Sequence, residues 1–251
     1  MTTSPIRVLD TGTRHPGTAP EPLLVMHQPA LVRLPLDLSP DDFEPLGQRP
    51  HHILFYSPFA VDTVHQSGLL PRDLPHQFWA VGSKTAEQIH RCFQQDARVP
   101  ATQDFEHLCE LLESKGEARD LIAFGLLHTH RDLSSVARKW SVAFREVPVY
   151  QSHPTPPETL REAFESFQPR WITLTSSRGV EAIVEALGVS ELHRRWRQQD
   201  LFFAAIGSST EQTLLEFGLH ARLIPDLPDR TALLEGIKNL ESTSAKRNTS
   251  L

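Results

Sequence analysis

The feature that most constrains this sequence is a pattern that recurs four times. A short, continuous apolar run closes on small hydroxyl residues, and a helical pattern follows at once. It appears as HHILFYSPFAVDTVHQSG at 51–68, FWAVGSKTAEQIHRCF at 78–93, WITLTSSRGVEAIVEALG at 171–188 and FFAAIGSSTEQTLLEFG at 202–218. The runs Ile53–Phe55, Trp79–Val81, Ile172–Leu174 and Phe202–Ile206 are apolar throughout rather than alternating, which is the character of parallel strands covered on both faces. Behind them apolar side chains return at helical spacing, as at Ala182, Ile183, Ala186 and Leu187. A fifth stretch, LIAFGLLHTHRDLSSVARKW at 121–140, has the same outline with a longer loop. Strands alternating with helices make βαβ units, so the expected class is α/β with open parallel sheets.

The four units fall into two pairs. FYSPFAV aligns with LTSSRGV and AVGSKTAEQI with AIGSSTEQTL, at offsets of 119 residues (Ser57 to Ser176) and 125 residues (Gly82 to Gly207). That spacing is far too long for a solenoid repeat and fits two similar lobes. A chain of 251 residues has room for two modest domains. Prolines number 20, about 8% against a background of about 5%. They crowd the first 30 residues and gather again at Pro148, Pro154, Pro156 and Pro157, which reads as loops and connections. The polar, aperiodic end Glu241–Leu251 is expected to fray.

Composition removes several functions. No window holds the roughly 18 to 20 continuous apolar residues of a membrane helix, and the N-terminus lacks the apolar core of a secretory signal. A net charge of −6 argues against a protein that coats nucleic acid, though a local cluster could still take a small anion. Cys92 and Cys109 form neither a metal spacing nor a disulfide framework, so both are expected as buried thiols in a reducing cytosol. HTHRD at 128–132 lacks the last histidine of a metal-binding run, since Leu133 stands there, and its kinase-like HRDL lacks the metal-binding Asn, since Ala137 stands there. No phosphate-binding glycine loop, metalloprotease helix or nucleophile elbow is present. The 13 histidines are scattered and suggest no metal site, and the four tryptophans read as packing residues.

The junctions carry the functional signal. Ser57 with Pro58 is a helix cap followed by proline at the first helical position. Gly82 with Ser83-Lys84-Thr85, Ser176-Ser177-Arg178-Gly179 and Ser208-Ser209-Thr210 repeat the theme, and Ser209 with Gln212 fits a capping box. Ordinary capping explains any one of them. Together they line the carboxyl edge of a parallel sheet, where ligands bind and where helix starts offer backbone N–H groups to anions. A ligand with several carboxylates or phosphates suits such an edge.

This set of motifs resembles the uroporphyrinogen-III synthase family. The resemblance rests on FYSPFAV (55–61), AVGSKTAEQI (80–89), EVPVYQS (146–152), LTSSRGVEAIVEAL (174–187), AAIGSSTEQTLLEFGL (204–219) and TALLEGI (231–237), in the family's order. It implies two flavodoxin-like lobes with parallel sheets and two extended connectors, crossing near Leu36–Pro40 and Tyr150–Pro157, with the active site in the cleft between lobes. The implied domains are 1–37 with 152–240, and 41–149, leaving 241–251 as a disordered tail.

The implied activity is a lyase reaction. It closes hydroxymethylbilane, a linear tetrapyrrole with eight carboxylates, into uroporphyrinogen III, with loss of water and inversion of the D ring. No metal or organic cofactor is implied, and the expected protein is a cytoplasmic monomer without nucleic-acid or membrane partners. Because the substrate closes spontaneously to the wrong isomer, catalysis lies mostly in holding the ring ends, helped by one weak acid at the departing hydroxyl. Tyr150 of the VPVY motif takes that role. Thr85, Ser176 and Thr210 match positions that line the family's site, Ser57 matches less specifically, and Ser209 lies in the same segment. Lys84, Arg131 and Arg178 are carboxylate partners by location and chemistry.

The chain also departs from the family. Residues 11–30 are too rich in proline for the usual first helix and hold at most about two helical turns. The first strand is either IRVLD (6–10), with LVRLPLDL (31–38) as the second, or PLLVMH, with the head as an extension. Tyr56 and Phe59 place bulky rings where smaller or more polar residues are usual, and GLLHTHRD lacks the glycine-rich, arginine-containing loop. The competing reading is therefore a non-catalytic relative that binds a tetrapyrrole or another polyanion. A solute-binding protein is disfavoured by the missing signal segment.

Overall fold

The structure is a computed structural model and describes residues 5–44, 51–71, 75–102, 105–115, 121–127 and 133–248. The chain divides into two compact units: residues 1–32 with 153–251, and residues 33–152. The first division falls ahead of the Leu36–Pro40 stretch that the sequence marks, and the second falls at Ser152/His153.

The first unit is built on β1 (Ile6–Asp10), β2 (Leu23–His27), β9 (Trp171–Leu174), β10 (Phe202–Ala205) and β11 (Ala221–Leu223). Their spatial order is β11-β10-β9-β1-β2, and every neighbouring pair is parallel. Numbered within the unit, that is the 2-1-3-4-5 order of a flavodoxin-like sheet. Its helices are α5 (Pro157–Phe167), α6 (Ser177–Leu187), α7 (Val189–Arg197), α8 (Ser208–Glu216) and α9 (Arg230–Asn248). Successive strand residues serve opposite faces. Leu9, Ile172 and Phe203 pack with Leu160, Ile183 and Leu214 of α5, α6 and α8, whereas Val8, Trp171 and Phe202 pack with Leu233, Leu234 and Ile237 of α9. The continuous apolar runs are required because both faces are covered.

The second unit contains β3 (Leu31–Pro35), which begins in the first, and β4 (His52–Phe55), β5 (Gln77–Ala80), β6 (Ala97–Arg98), β7 (Leu121–Leu126) and β8 (Phe144–Pro154). Their order is β3-β8-β7-β4-β5-β6. Counted from β4, this is 3-2-1-4-5 with β3 added beyond β8, so the second sheet does not have the flavodoxin-like order that the family resemblance implies. The duplicated motifs encode strand-to-helix junctions; strand order depends on pairings that the motifs do not contain. Helices α1 (Pro58–Ser67) and α2 (Ser83–Phe93) cover one face through Val61, Val64 and Ile89. Helices α3 (Phe105–Ser114) and α4 (Leu133–Lys139) cover the other through Leu108, Leu112 and Ala137.

Several local expectations change. IRVLD and LLVMH are both strands, β1 and β2, and LVRLP is a third, β3. No helix forms between β1 and β2 across residues 11–22, where the prolines lie. Helix α9 extends to Asn248, so residues 241–248 continue a helix where a frayed tail was expected. Cys109 is fully buried, but Cys92 is only half-buried, with its thiol 3.7 Å from Asp62. Trp79 and Trp171 are fully buried packing residues.

Candidate functional site

Within each unit the carboxyl-edge junctions come in two kinds. Ser57 and Ser176 are N-caps in extended conformation, and their hydroxyls accept from Ala60 N–H (3.2 Å) and Gly179 N–H (3.1 Å). Helices α2 and α8 start instead on Gly82 and Gly207, which carry no capping side chain. Both glycines are extended, with φ of −146° and −174°, and the space beside Gly207 is open to 4 Å. Neither is a sharp left-handed turn. What they provide is a helix start without a side-chain cap, the geometry that suits an external anion. The expected Ser209 capping box does not form, because Ser209 lies inside α8 after Gly207 and Ser208.

The site residues expected from sequence are placed as follows. Thr85 and Thr210 occupy the first turns of α2 and α8 with buried side chains, and their N–H groups donate to Gly82 and Gly207 carbonyls. Lys84, Arg178 and Ser209 are exposed beside them. Neighbouring junctions of the first unit are tied together, since Ser177 Oγ donates to the Ser209 carbonyl at 3.2 Å. Arg131, with His128 and His130, lies outside the described residues.

Tyr150 is the most developed of these positions. Between Gly125↔Pro148 and Leu126↔Tyr150 the β7–β8 register slips by one residue, so β8 carries one extra residue there. Simple alternation from Val147 would send Tyr150 to the α3–α4 face. The bulge instead turns it to the α1 face, in one cluster with Val147 and Val149. There Ser57 Oγ donates to Tyr150 Oη at 3.2 Å. The Phe59 ring meets Tyr150 edge-on at 5.1 Å, and the Arg33 guanidinium lies over both rings at 5.9 and 5.8 Å. Ala60 N–H, Ser57 hydroxyl and Tyr150 hydroxyl thus form one directed chain of hydrogen bonds. Since Tyr150 oxygen accepts from Ser57, its own proton is left to point to a further partner.

Two further groups were not among the site residues expected from sequence, although Tyr56 stood out there for its bulky ring. On the α3–α4 face of the second unit, the Tyr56 ring lies against Gly125, where a Cβ would come within 2.5 Å of it. Tyr56 Oη and Glu146 Oε1 are buried without hydrogen-bond partners. Burial raises both the Tyr56 hydroxyl and the Glu146 carboxyl above their ordinary values, and for Tyr56 the Glu146 charge adds to it. Burial also pushes the Cys109 thiol up to about 12, so it is no nucleophile. In the first unit, Asp10 gathers Thr173, His27 and Arg230 at the end of β1. The only sequence trace of this group is a carboxylate ending the apolar run IRVLD.

A groove at the opposite, amino edge of the first sheet is lined by residues of α5 and α7. Two of its arginines are already engaged: Arg194 pairs with Glu191, and Arg161 donates to the Ala186 carbonyl at 3.1 and 2.9 Å. Among the described residues no group of three or more His, Cys, Asp or Glu is arranged to hold a metal ion. None of the described helices is long and apolar enough to cross a membrane.

These features define a doubly wound α/β protein with parallel sheets, whose carboxyl edges carry helix starts suited to small anionic molecules. The uroporphyrinogen-III synthase (HemD) family model matches residues 24–235, and the chain belongs to that family. Among solved structures it is similar to a uroporphyrinogen-III synthetase from Helicobacter pylori, at 14% identity and a TM-score of 0.66, covering 94% of this chain and 99% of that one. A mutant uroporphyrinogen III synthase from Thermus thermophilus gives 16% identity and a TM-score of 0.58, with coverage of 95% and 99%. At those identities the likeness speaks to the fold. No curated protein sequence matches the chain.

Proposed function

We propose that this chain works as a uroporphyrinogen-III synthase, closing hydroxymethylbilane with loss of water and inversion of the D ring, without a cofactor. The observation that carries the reading is the directed chain Ala60–Ser57–Tyr150, which leaves the Tyr150 proton available at the carboxyl edge. Tyr150 gives that proton to the departing hydroxyl; Ser57, as donor to its oxygen, stabilises the phenolate that results. Arg33 adds a positive charge over the face of the same ring. The helix starts at Gly82 and Gly207, with Lys84, Thr85, Ser176, Arg178, Ser209 and Thr210, supply the contacts for substrate carboxylates, and Arg131 joins them. Holding the ring ends is then the larger part of catalysis, since the unaided substrate already closes.

The two units are read as the two lobes of the family, with β3 and β8 as the strands in which the chain changes unit. A cytoplasmic monomer acting on one small-molecule substrate completes the proposal. The test is an assay in which hydroxymethylbilane is generated in place and the product isomers are separated. Type III product above the uncatalysed rate supports the enzyme. Type I product alone, at the uncatalysed rate, overturns it and favours a non-catalytic tetrapyrrole binder.

A further inference from the structure

In a 2-1-3-4-5 sheet the switch point lies between the first strand and the third, and ligands of such sheets bind just outside it. In the first unit those strands are β1 and β9. The residues at their carboxyl ends are Asp10 and Thr173, which are register partners, and His27 at the end of β2 is the partner of Asp10 on its other side. By strand alternation all three side chains point to the α9 face.

Asp10 is 1% exposed, yet its carboxylate is fully engaged. It accepts from Thr173 Oγ1 at 2.8 Å and from His27 Nδ1 at 2.8 Å, and it is paired with Arg230 Nη2. Arg230 reaches it across Gly12, where a Cβ would lie 2.6 Å from the guanidinium carbon, and also donates to the Arg14 carbonyl. The Nδ1–H of His27 is thereby fixed on Asp10. Its ring keeps 16% exposure, and Nε2 takes no partner among the described residues.

The charge balance of this cluster differs from that of an isolated histidine–carboxylate pair. There the carboxylate cancels an imidazolium. Here Arg230 already neutralises Asp10, so a protonated His27 leaves a net positive charge at the switch point. Arg230 Nε is in addition buried without an acceptor. The charged and titratable groups set against His27 are Asp10 on β1, His15 in the following loop (ring centroids 5.3 Å apart) and Arg230 on α9. Asp229, just ahead of Arg230, accepts from the Thr231 and Ala232 N–H groups through Oδ1.

We propose that His27 is a proton-coupled carboxylate site at this switch point, with Asp10 as its positioning residue. The protonated imidazole donates through Nε2–H to one carboxylate oxygen of the ligand, and a proton is taken from solvent onto Nε2 as the ligand binds. No bond other than that N–H is made. The inference deepens the synthase reading by assigning a residue to one of the substrate's carboxylates, and it rests on that reading for the ligand class.

The experiment uses the full chain and uroporphyrin III, the stable aromatic octacarboxylate related to the proposed product. Calorimetric titrations near pH 7, in two buffers of different ionisation heat, read proton uptake on binding; His27→Gln and His15→Gln are compared with the parent after thermal melts confirm folding. The parent and His15→Gln are expected to take up a fraction of a proton per ligand. His27→Gln is expected to lose that uptake and to bind about tenfold more weakly, the size of one charge-assisted hydrogen bond. Should His27→Gln not fold, proton uptake by the parent decides: none at about pH 7 overturns the proposal. Equal uptake and affinity in His27→Gln and the parent reduces the cluster to a tie between β1 and α9. Absence of uroporphyrin III binding to the parent also overturns it. Type III product formation, measured separately, then shows whether the synthase reading stands without it.

Discussion

The two units solve the same problem at their switch points with opposite chemistry. In the first unit, the point between β1 and β9 is polar and charged: a buried carboxylate held by a threonine, a histidine and an arginine. In the second unit, the point between β4 and β7 is closed by the Tyr56 ring lying on Gly125, while the polar work moves one residue along, to Ser57 and its bond with Tyr150. Similar motifs therefore do not make similar sites. The contrast comes from strand order and from which helix covers each face. Arg230 arrives from α9, which covers the face beneath Asp10, whereas α3 and α4 meet the face at Tyr56 through apolar residues such as Phe105, Leu108 and Ala137.

The strongest way to break this comparison is to remove the charge at its centre. Asp10→Ala leaves Arg230 without its anion in a buried setting and is expected to cost about 3–5 kcal/mol in urea unfolding. A loss below about 1 kcal/mol would mean that the first switch point is no more dependent on charge than the second. Next in size is Tyr150→Phe, expected to slow type III formation about a hundredfold while the melting temperature stays unchanged, since the ring keeps its packing on Phe59. An unchanged rate would remove Tyr150 from the mechanism.

Ser57→Ala and Ser176→Ala sharpen the comparison further. Each removes a cap and is expected to cost about 1 kcal/mol. Ser57→Ala should also lower kcat, because only Ser57 donates to a tyrosine. Ser176→Ala, which removes a proposed carboxylate contact, should instead raise KM with kcat unchanged; equal losses of kcat would make the two junctions equivalent. The smallest effect is expected at Glu146. Its carboxyl is raised by burial, so the folded chain holds that proton more tightly than the unfolded chain does. Its contribution to stability is full below the ordinary carboxyl range and is lost as pH rises through the raised folded value. Glu146→Gln should therefore melt above the parent at neutral pH, and the gap should close near about pH 4. A gap that persists in acid would point to packing rather than ionisation.

The legible parts of the molecule are those encoded over short distances. An apolar run, a hydroxyl cap and a helical period all lie within about 18 residues, and β4, β5, β9 and β10 with their helices follow them within a residue or two. The segment between β1 and β3 was harder. Its prolines leave room for at most about two helical turns, and whether LLVMH becomes a strand depends on a partner, which is β1. Tyr150 was legible as a residue of interest through its resemblance to a family motif. Its orientation was not, because the one-residue bulge against β7 reverses the face that alternation gives.

By itself the sequence determined the α/β class, the pairing of the motifs, the hydroxyl-rich carboxyl edges and the family to which the chain belongs. Each follows from local patterning or from motif order, and none needs a three-dimensional partner. Tertiary structure alone decided the strand orders, the turn of Tyr150 toward Ser57 and the assembly of Asp10 with His27, Thr173 and Arg230. The last group joins residues 17, 163 and 220 positions apart. No local propensity specifies such distant partners. They meet because apolar faces on alternate strand residues must be covered, and covering them brings a polar row at the strand ends into register.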